Sequence, residues 1–318
     1  MDRDVCDRIL SAAIAAPSGH NAQPWKFKLL DEASILVVPD KSRSLSAIDP
    51  IDRELFISLG CVVENMCVAA AAFGMKATVE CKGESGVLVS FVRAESVGVS
   101  PLFEAIYRRH TNRNMFDGTG LSAAEIKELS AYGGSMFARG SAQFDAVIDG
   151  INRANCDIYG NRMKKNELGK WIRYNRREAD NERGGIGYDV LGVPNMPAWI
   201  SRAATSVALN ASMQSRADIK KLQTSPYVVA FAANNDIEGW IGCGRKLQGF
   251  LLTATLLDVA CAFIGAPCEV EQVASELTSR LQSQSRLQVL LRIGHSAPPL
   301  AYSRRRPLAE FKKFKSVT

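Results

Sequence analysis

Histidine is scarce in this chain, with three residues in 318, and the eight cysteines include no C-x-x-C pair. A zinc site, which needs Cys and His clustered at short spacing, is therefore not expected. Long apolar runs are also missing. The longest, Cys67–Phe73 and Val259–Ala266, fall well short of the ~20 residues that a bilayer crossing takes. The opening MDRDVCDRIL is charged from its second residue and has no apolar h-region, so no secretory signal is read there. A cytoplasmic chain with reduced thiols serving as small buried hydrophobes is expected. Gly242-Cys243-Gly244 lacks the third glycine of a dinucleotide fingerprint and lies inside a predicted helix, where it reads as close helix packing. The net charge of +6 is partly local, in Arg304-Arg305-Arg306 and then Lys312, Lys313 and Lys315. Neither an RNA-binding signature nor a helix-turn-helix pattern accompanies it, so nucleic acid is not expected. An acidic cofactor or a solvated surface remains open.

What is present is ordinary globular composition, 47% hydrophobic and 23% charged. The length suits two domains or one fused double domain, with a core that needs no staples. Val5, Ile9, Ala13 and Ile14 give residues 2–15 a helical apolar face, and Pro17-Ser18-Gly19 ends it. Strands are predicted over 25–30, 34–39, 76–81, 86–93, 225–233 and 286–294. Helices are predicted over about 52–73, closed by Gly74, over 238–264, and over 270–282. Ser100 is read as the cap of a helix carrying Phe103, Ile106 and Tyr107, and Ser122-Ala123-Ala124-Glu125 is a capping box. A further helix begins near Ala146. This mixture, without regular βαβ alternation, predicts an α+β fold. A faint repeat runs through it. Gly60, Glu64 and the run at 66–70 correspond to Gly244, Gln248 and the run at 250–254, and both helices precede β-rich runs.

Four segments carry candidate chemistry. Pro17-Ser18-Gly19-His20-Asn21-Ala22-Gln23-Pro24-Trp25 is an irregular loop between a helix and a strand. It reads as a helix stop and turn, or as a loop offering N–H groups, a hydroxyl and an amide to a flat heterocycle. Arg108-Arg109-His110-Thr111-Asn112-Arg113 gathers guanidinium groups and a hydroxyl, which suits either a phosphate or a solvated helix end. Ser303-Arg304-Arg305-Arg306-Pro307 follows the last predicted strand. Ala266-Pro267-Cys268-Glu269-Val270 joins two helices. No carboxylate pairs with His20, His110 or His295 in sequence. His20 lies in the first loop and would border the pocket that the loop lines, and His295 reads as a strand end.

The first of these segments resembles the PSxxNxQPW motif of the FMN-dependent nitroreductase family. The second resembles the Arg-rich opening of that family, with Thr111 where Ser is usual. The resemblance covers most of the chain and is weakest at 30–50, 132–147 and 161–200. It implies a nitroreductase-like fold with FMN as cofactor. Pro17, Ser18, Gly19 and Asn21 would line the flavin, Arg109 and Thr111 would hold its phosphate, and Arg108 would be a further cofactor-binding residue. Arg113 would approach the N1/O2 edge, and backbone donors around Pro267, Cys268 and Glu269 would meet N5 and O4. Arg304 or Arg305 would add phosphate contacts, and which of Arg304, Arg305 and Arg306 faces inward is left open.

Family members are homodimers with shared flavin sites. Here the Pro-Ser-Asn loop lies in residues 1–100, while the Arg-rich opening and the basic end lie in 101–318. The resemblance is to the Acg-like branch, with two fused halves forming an intramolecular pseudo-dimer and one site per chain. Residues 164–199, with Trp171, Tyr174, Trp199 and the glycines Gly184, Gly185, Gly187 and Gly192, are expected to be a lid over the flavin. The implied activity is NAD(P)H-dependent reduction of a nitroaromatic or quinone through flavin N5, and the alternative is an FMN-sequestering protein.

Overall fold

The computed structural model describes residues 1–94, 100–208, 210–299 and 301–313; Lys315 lies outside them. Strands β1 (Trp25–Leu29), β2 (Ser34–Pro39), β3 (Met75–Cys81) and β4 (Val87–Arg93) form an antiparallel sheet in the order β1-β2-β4-β3. Alternation decides its inner face. Trp25 and Phe27, Ile35 and Val37, and Val87, Val89 and Phe91 are buried, with less buried residues between them. A second antiparallel sheet comes from β5 (Ser135–Ala138), β8 (Tyr227–Ala233), β9 (Ala260–Phe263) and β10 (Arg286–Gly294), in the order β5-β8-β10-β9. Two short parallel strands, β6 (Ile172–Arg173) and β7 (Ile186–Gly187), pair with each other. Finally β11 (Lys312–Lys313) returns to lie parallel to β1, extending the first sheet. Phe311, just before it, is fully buried against Trp25 and Phe27. The fold is α+β, as the sequence predicts, although the chain end belongs by hydrogen bonding to the first sheet rather than the second.

Two 20-residue helices, Arg53–Ala72 and Ile237–Leu256, cross at the centre. Glycine lets their backbones touch. A methyl built on Gly60 would come 2.2 Å from Ile241 O, and one on Gly244 would come 2.0 Å from Ile57 O. The contact is reciprocal, 57 with 244 and 60 with 241, in the register of the sequence repeat. Asn65 and Gln248, both fully buried, hydrogen-bond across it at 2.7 Å, and Arg245 pairs with Glu64 at 3.0 Å. Gly242 faces open space, so only Gly244 of the G-x-G serves packing. The Arg53–Ala72 helix is apolar enough by composition to cross a membrane, but here it is a buried core helix.

The predicted strands and the first helices agree with the structure to within about two residues. One long helix does not. Residues 238–264 read as a single helix, yet it ends at Leu256, Asp258 turns left-handed (φ 53°), and Ala260–Phe263 is a strand. The apolar run conceals the break because no glycine or proline marks it. The capping box at Ser122 and Glu125 is present. Ser100 accepts from Leu102 N at 3.3 Å, just ahead of the Leu102–Arg108 helix. Ser141 caps the Ala142–Gly160 helix, which starts four residues earlier than predicted.

Candidate functional site

A cleft of about 430 Å³ gathers all four sequence segments. The Pro17–Asn21 loop leaves the first helix and is held in a costly shape. His20, Asn21 and Gln23 all have φ near +50°, a region that non-glycine residues seldom adopt. Ser18 Oγ accepts from Gln23 N at 2.9 Å, and Ala22 N donates to Gly19 O, which together close the turn. The second segment runs in extended form from Arg109. Asn112 N donates to Cys261 O beside β9, and Asn112 Nδ2 donates to Ala297 O.

Pro17, Ser18, Gly19, Asn21, Arg109, Thr111, Arg113, Cys268, Glu269 and Arg305 all line the cleft. Arg108, Pro267 and Arg304 do not. Arg108 points outward, with its side chain 54% exposed, and pairs with Asp258. Pro267 is buried at the start of its turn. Arg304 is tied to Asp180 and Asp189, and Arg306 pairs with Glu310 over the Phe311 ring. Arg305 is thus the one of the three arginines that turns inward.

Asn21 lines the cleft, but its amide is already engaged. Nδ2 donates to Gly185 O and Arg304 O, and Oδ1 accepts from Arg305 Nη1 at 2.8 Å. Gln23 Nε2 donates to Arg183 O, and its Oε1 accepts from Arg306 N. The motif therefore ties the loop to residues 183–185 and to the chain's basic end.

The electrostatics are lopsided. Arg109 Nε, Arg113 Nη1, Arg292 Nη1 and Arg305 Nε are buried and have no hydrogen-bond partner. All four arginines line the cleft. Burial pulls the guanidinium of each below its ordinary range, and like charges add to this for three of them. Arg305 is brought to about 9 by burial and then Arg109, and Arg109 to about 10 by burial and, among other charges, Arg113. An unsatisfied buried donor costs about 1–3 kcal/mol, and more when charged. Such a set has the chemistry to receive an anion.

Arg292, Lys221, Asp218, Arg53 and Glu54 also line the cleft and were not singled out in the sequence. Arg292 had a readable signal, a charge set between the apolar run Val289–Leu291 and Ile293 of a predicted strand. It donates to Asn112 O and Asn114 O and lies over Phe116. Asp218 and Lys221 sit on a polar helix with nothing in the pattern to mark them. Among the described residues no group of His, Cys, Asp or Glu is placed to hold a metal.

The segment expected as a lid folds as helices Arg162–Lys170 and Arg176–Glu182 with β6 and β7. It lies on the cleft through Leu168, Ile186 and Leu191. The aromatics that suggested it do otherwise. Trp171 stacks under Arg43 and Arg173, Tyr174 is buried beneath Arg202, and Trp199 is 73% exposed. Glu167 fixes the segment's start by accepting from Ala47 N and Ile48 N at 2.9 Å.

No family model matches the chain. It is 26% identical over 330 residues to Rv3131 of Mycobacterium tuberculosis, provisionally named an NAD(P)H nitroreductase, covering 97% of this chain and 91% of that protein. A 77-residue stretch, 24% of this chain and 23% of its relative, is 38% identical to the similarly named acg of the same species. PigM of Serratia, also provisionally named an NAD(P)H nitroreductase, is 25% identical over 208 residues, 56% of this chain and 55% of PigM. Among solved structures, the FMN-dependent nitroreductase NfnB of Mycobacterium smegmatis, in complex with NADPH, shares 14% identity at a TM-score of 0.43. The match covers 67% of this chain and 96% of that one. A likeness that loose adds nothing to the sequence relationship.

Proposed function

We propose that the chain, whose sequence is similar to nitroreductases over nearly its whole length, is an FMN-binding oxidoreductase with one intramolecular flavin site. The observation that carries the reading is the set of four cleft arginines with unpartnered buried N–H groups beside the Pro17–Asn21 loop. Their chemistry fits a phosphorylated, anionic cofactor. Arg109, Arg305 and Thr111 would hold the phosphate by charge-assisted hydrogen bonds. Asn21 positions Arg305 instead of touching the cofactor itself. Arg113, Arg292 and Lys221 keep a positive potential along the cleft, which favours a ligand that gains negative charge on reduction. FMN held there would supply two-electron chemistry between a reduced nicotinamide and a flat quinone or nitroaromatic acceptor. The protein's share is to orient and to exclude water, through the 162–191 segment docked on the loop. The reciprocal Gly60–Gly244 crossing supports a pseudo-dimer of two halves, about 1–100 and 101–318.

The test is the absorbance spectrum of purified protein, followed by NADPH or NADH consumption with a quinone. A flavin spectrum and acceptor-dependent turnover are expected. Protein that is colourless and takes up no FMN on incubation overturns the reading.

A further inference from the structure

The cleft has a second pole. Glu54, from the Arg53–Ala72 helix, and Glu269, from the Ala266–Glu269 turn, both line it. Two glycines make room for them. A methyl built on Gly19 would come 2.7 Å from Glu54 Oε2, and one on Gly265 would come 2.6 Å from Glu269 Oε1. Glu54 is satisfied, because its Oε1 accepts from Arg53 Nη2 at 3.0 Å. Arg53, 3% exposed, spends its Nη1 on Gln288 O. Glu269 has neither a hydrogen bond nor an ion pair among the described residues.

The charges around Glu269 come from several elements. Glu54 and Arg53 face it from one helix, Asp49 from the turn before that helix, and Lys164 from the Arg162–Lys170 helix. Tyr159 of the Ala142–Gly160 helix and Cys268 of the same turn also feel its charge. Neither Arg109 nor Arg305 is among them. Burial, and then the negative charge of Glu54, push the Glu269 carboxyl well above the ordinary carboxylate range. His20, one of the two histidines that line the cleft, moves the opposite way. Burial pulls it down, so it is neutral and a poor proton donor at pH 7.

From this arrangement we infer that Glu269 is the general acid of the cleft, giving a quinone acceptor the proton that must accompany its hydride. The inference rests on the flavin reading above. The balance is simple. The acceptor receives a hydride, with both electrons, that originates from the nicotinamide by way of FMN. Its oxygen takes a proton as the O–H bond of Glu269 breaks. The products are a hydroquinone and a Glu269 carboxylate, which recovers a proton from solvent. Quinone reduction should therefore fall as pH rises through the raised Glu269 pKa, because the donor loses its proton. In Glu54→Gln a negative neighbour is removed, the Glu269 pKa drops, and the alkaline fall should begin at lower pH.

The experiment mixes pre-reduced holoprotein rapidly with either a quinone, which needs a proton, or ferricyanide, which takes only an electron. Glu269→Gln should slow the quinone reaction by about a hundredfold or more relative to ferricyanide. A second readout does not depend on turnover. Infrared difference spectra of FMN-free protein should show a protonated-carboxyl band that titrates above the ordinary carboxylate range and is lost in Glu269→Gln. Equal slowing of both acceptors, or a band that titrates in the ordinary range, overturns the assignment. Failure of the flavin reading looks different, since the protein would then carry no FMN or NADPH would not reduce it.

Discussion

Arg304 and Arg305 are sequence neighbours with different work. Arg304 ties down the 176–191 segment through Asp180 and Asp189, and Arg305 turns into the cleft with Nε unpartnered. Nothing in a run of three arginines distinguishes them, because the choice depends on Asn21 and two aspartates far away in sequence. Arg109 was legible through its motif, whereas Arg108 was a neighbour counted with it that the structure turns to the surface. The expected signature of a phosphate ligand is selective. Arg109→Ala should weaken FMN binding by about ten- to a hundredfold, from the ~1.5–3 kcal/mol of a charge-assisted hydrogen bond, and riboflavin binding far less. Titrating both flavins against the variant by fluorescence checks this. Equal losses for the two would remove Arg109 from the phosphate.

At the scale of elements, the central helix pair was legible as a pattern but not as a contact. The sequence offers two glycines at corresponding positions, and only the folded pair shows that each meets the other helix's backbone. The two glycines of G-x-G now make opposite predictions. Gly244→Ala drives a methyl onto Ile57 O and should destabilise by about 1–3 kcal/mol despite alanine's better helix propensity. Gly242→Ala meets nothing and should stabilise by about 0.5–1 kcal/mol. Urea denaturation of the pair decides it, and a neutral Gly244→Ala would mean the helices can separate without cost. The 164–199 segment shows the reverse kind of legibility. Its length pointed to a structure over the site, while its aromatic content pointed to the wrong residues. Leu168, Ile186 and Leu191 reach the cleft, while Trp171 and Tyr174 serve arginines. Aromatic side chains mark buried area without saying which surface they bury.

For the whole molecule, the two poles of the cleft come from both ends of the sequence. Arg305 near the chain end leans on Ala15, Ala16 and Asn21 near its start, while Arg109, Glu269 and Arg292 come from between. A site assembled within one chain should bind one FMN per chain, and occupancy should not change as protein is diluted at fixed free FMN. Equilibrium dialysis over a wide protein range measures both. Two flavins per chain, or loss on dilution, would point to a site shared between chains. The proposed division into halves rests on complementary motifs that the sequence displays. The return of β11 to the first sheet was not, because two lysines carry no strand signal of their own and depend on Phe311 being buried against Trp25 and Phe27.

The Gly60–Gly244 crossing has a consequence for heredity. Between identical subunits, a codon at a two-fold contact is written once and appears twice, so any change there strikes both sides together. In this chain the two glycines are separate codons. One side can drift while the other compensates, and a loop useful on one side can be discarded on the other. On the proposed division into halves, the Pro17–Asn21 loop lies in one and the 162–191 segment in the other, a lopsidedness that a gene copied into both partners of a symmetric pair has no means to encode.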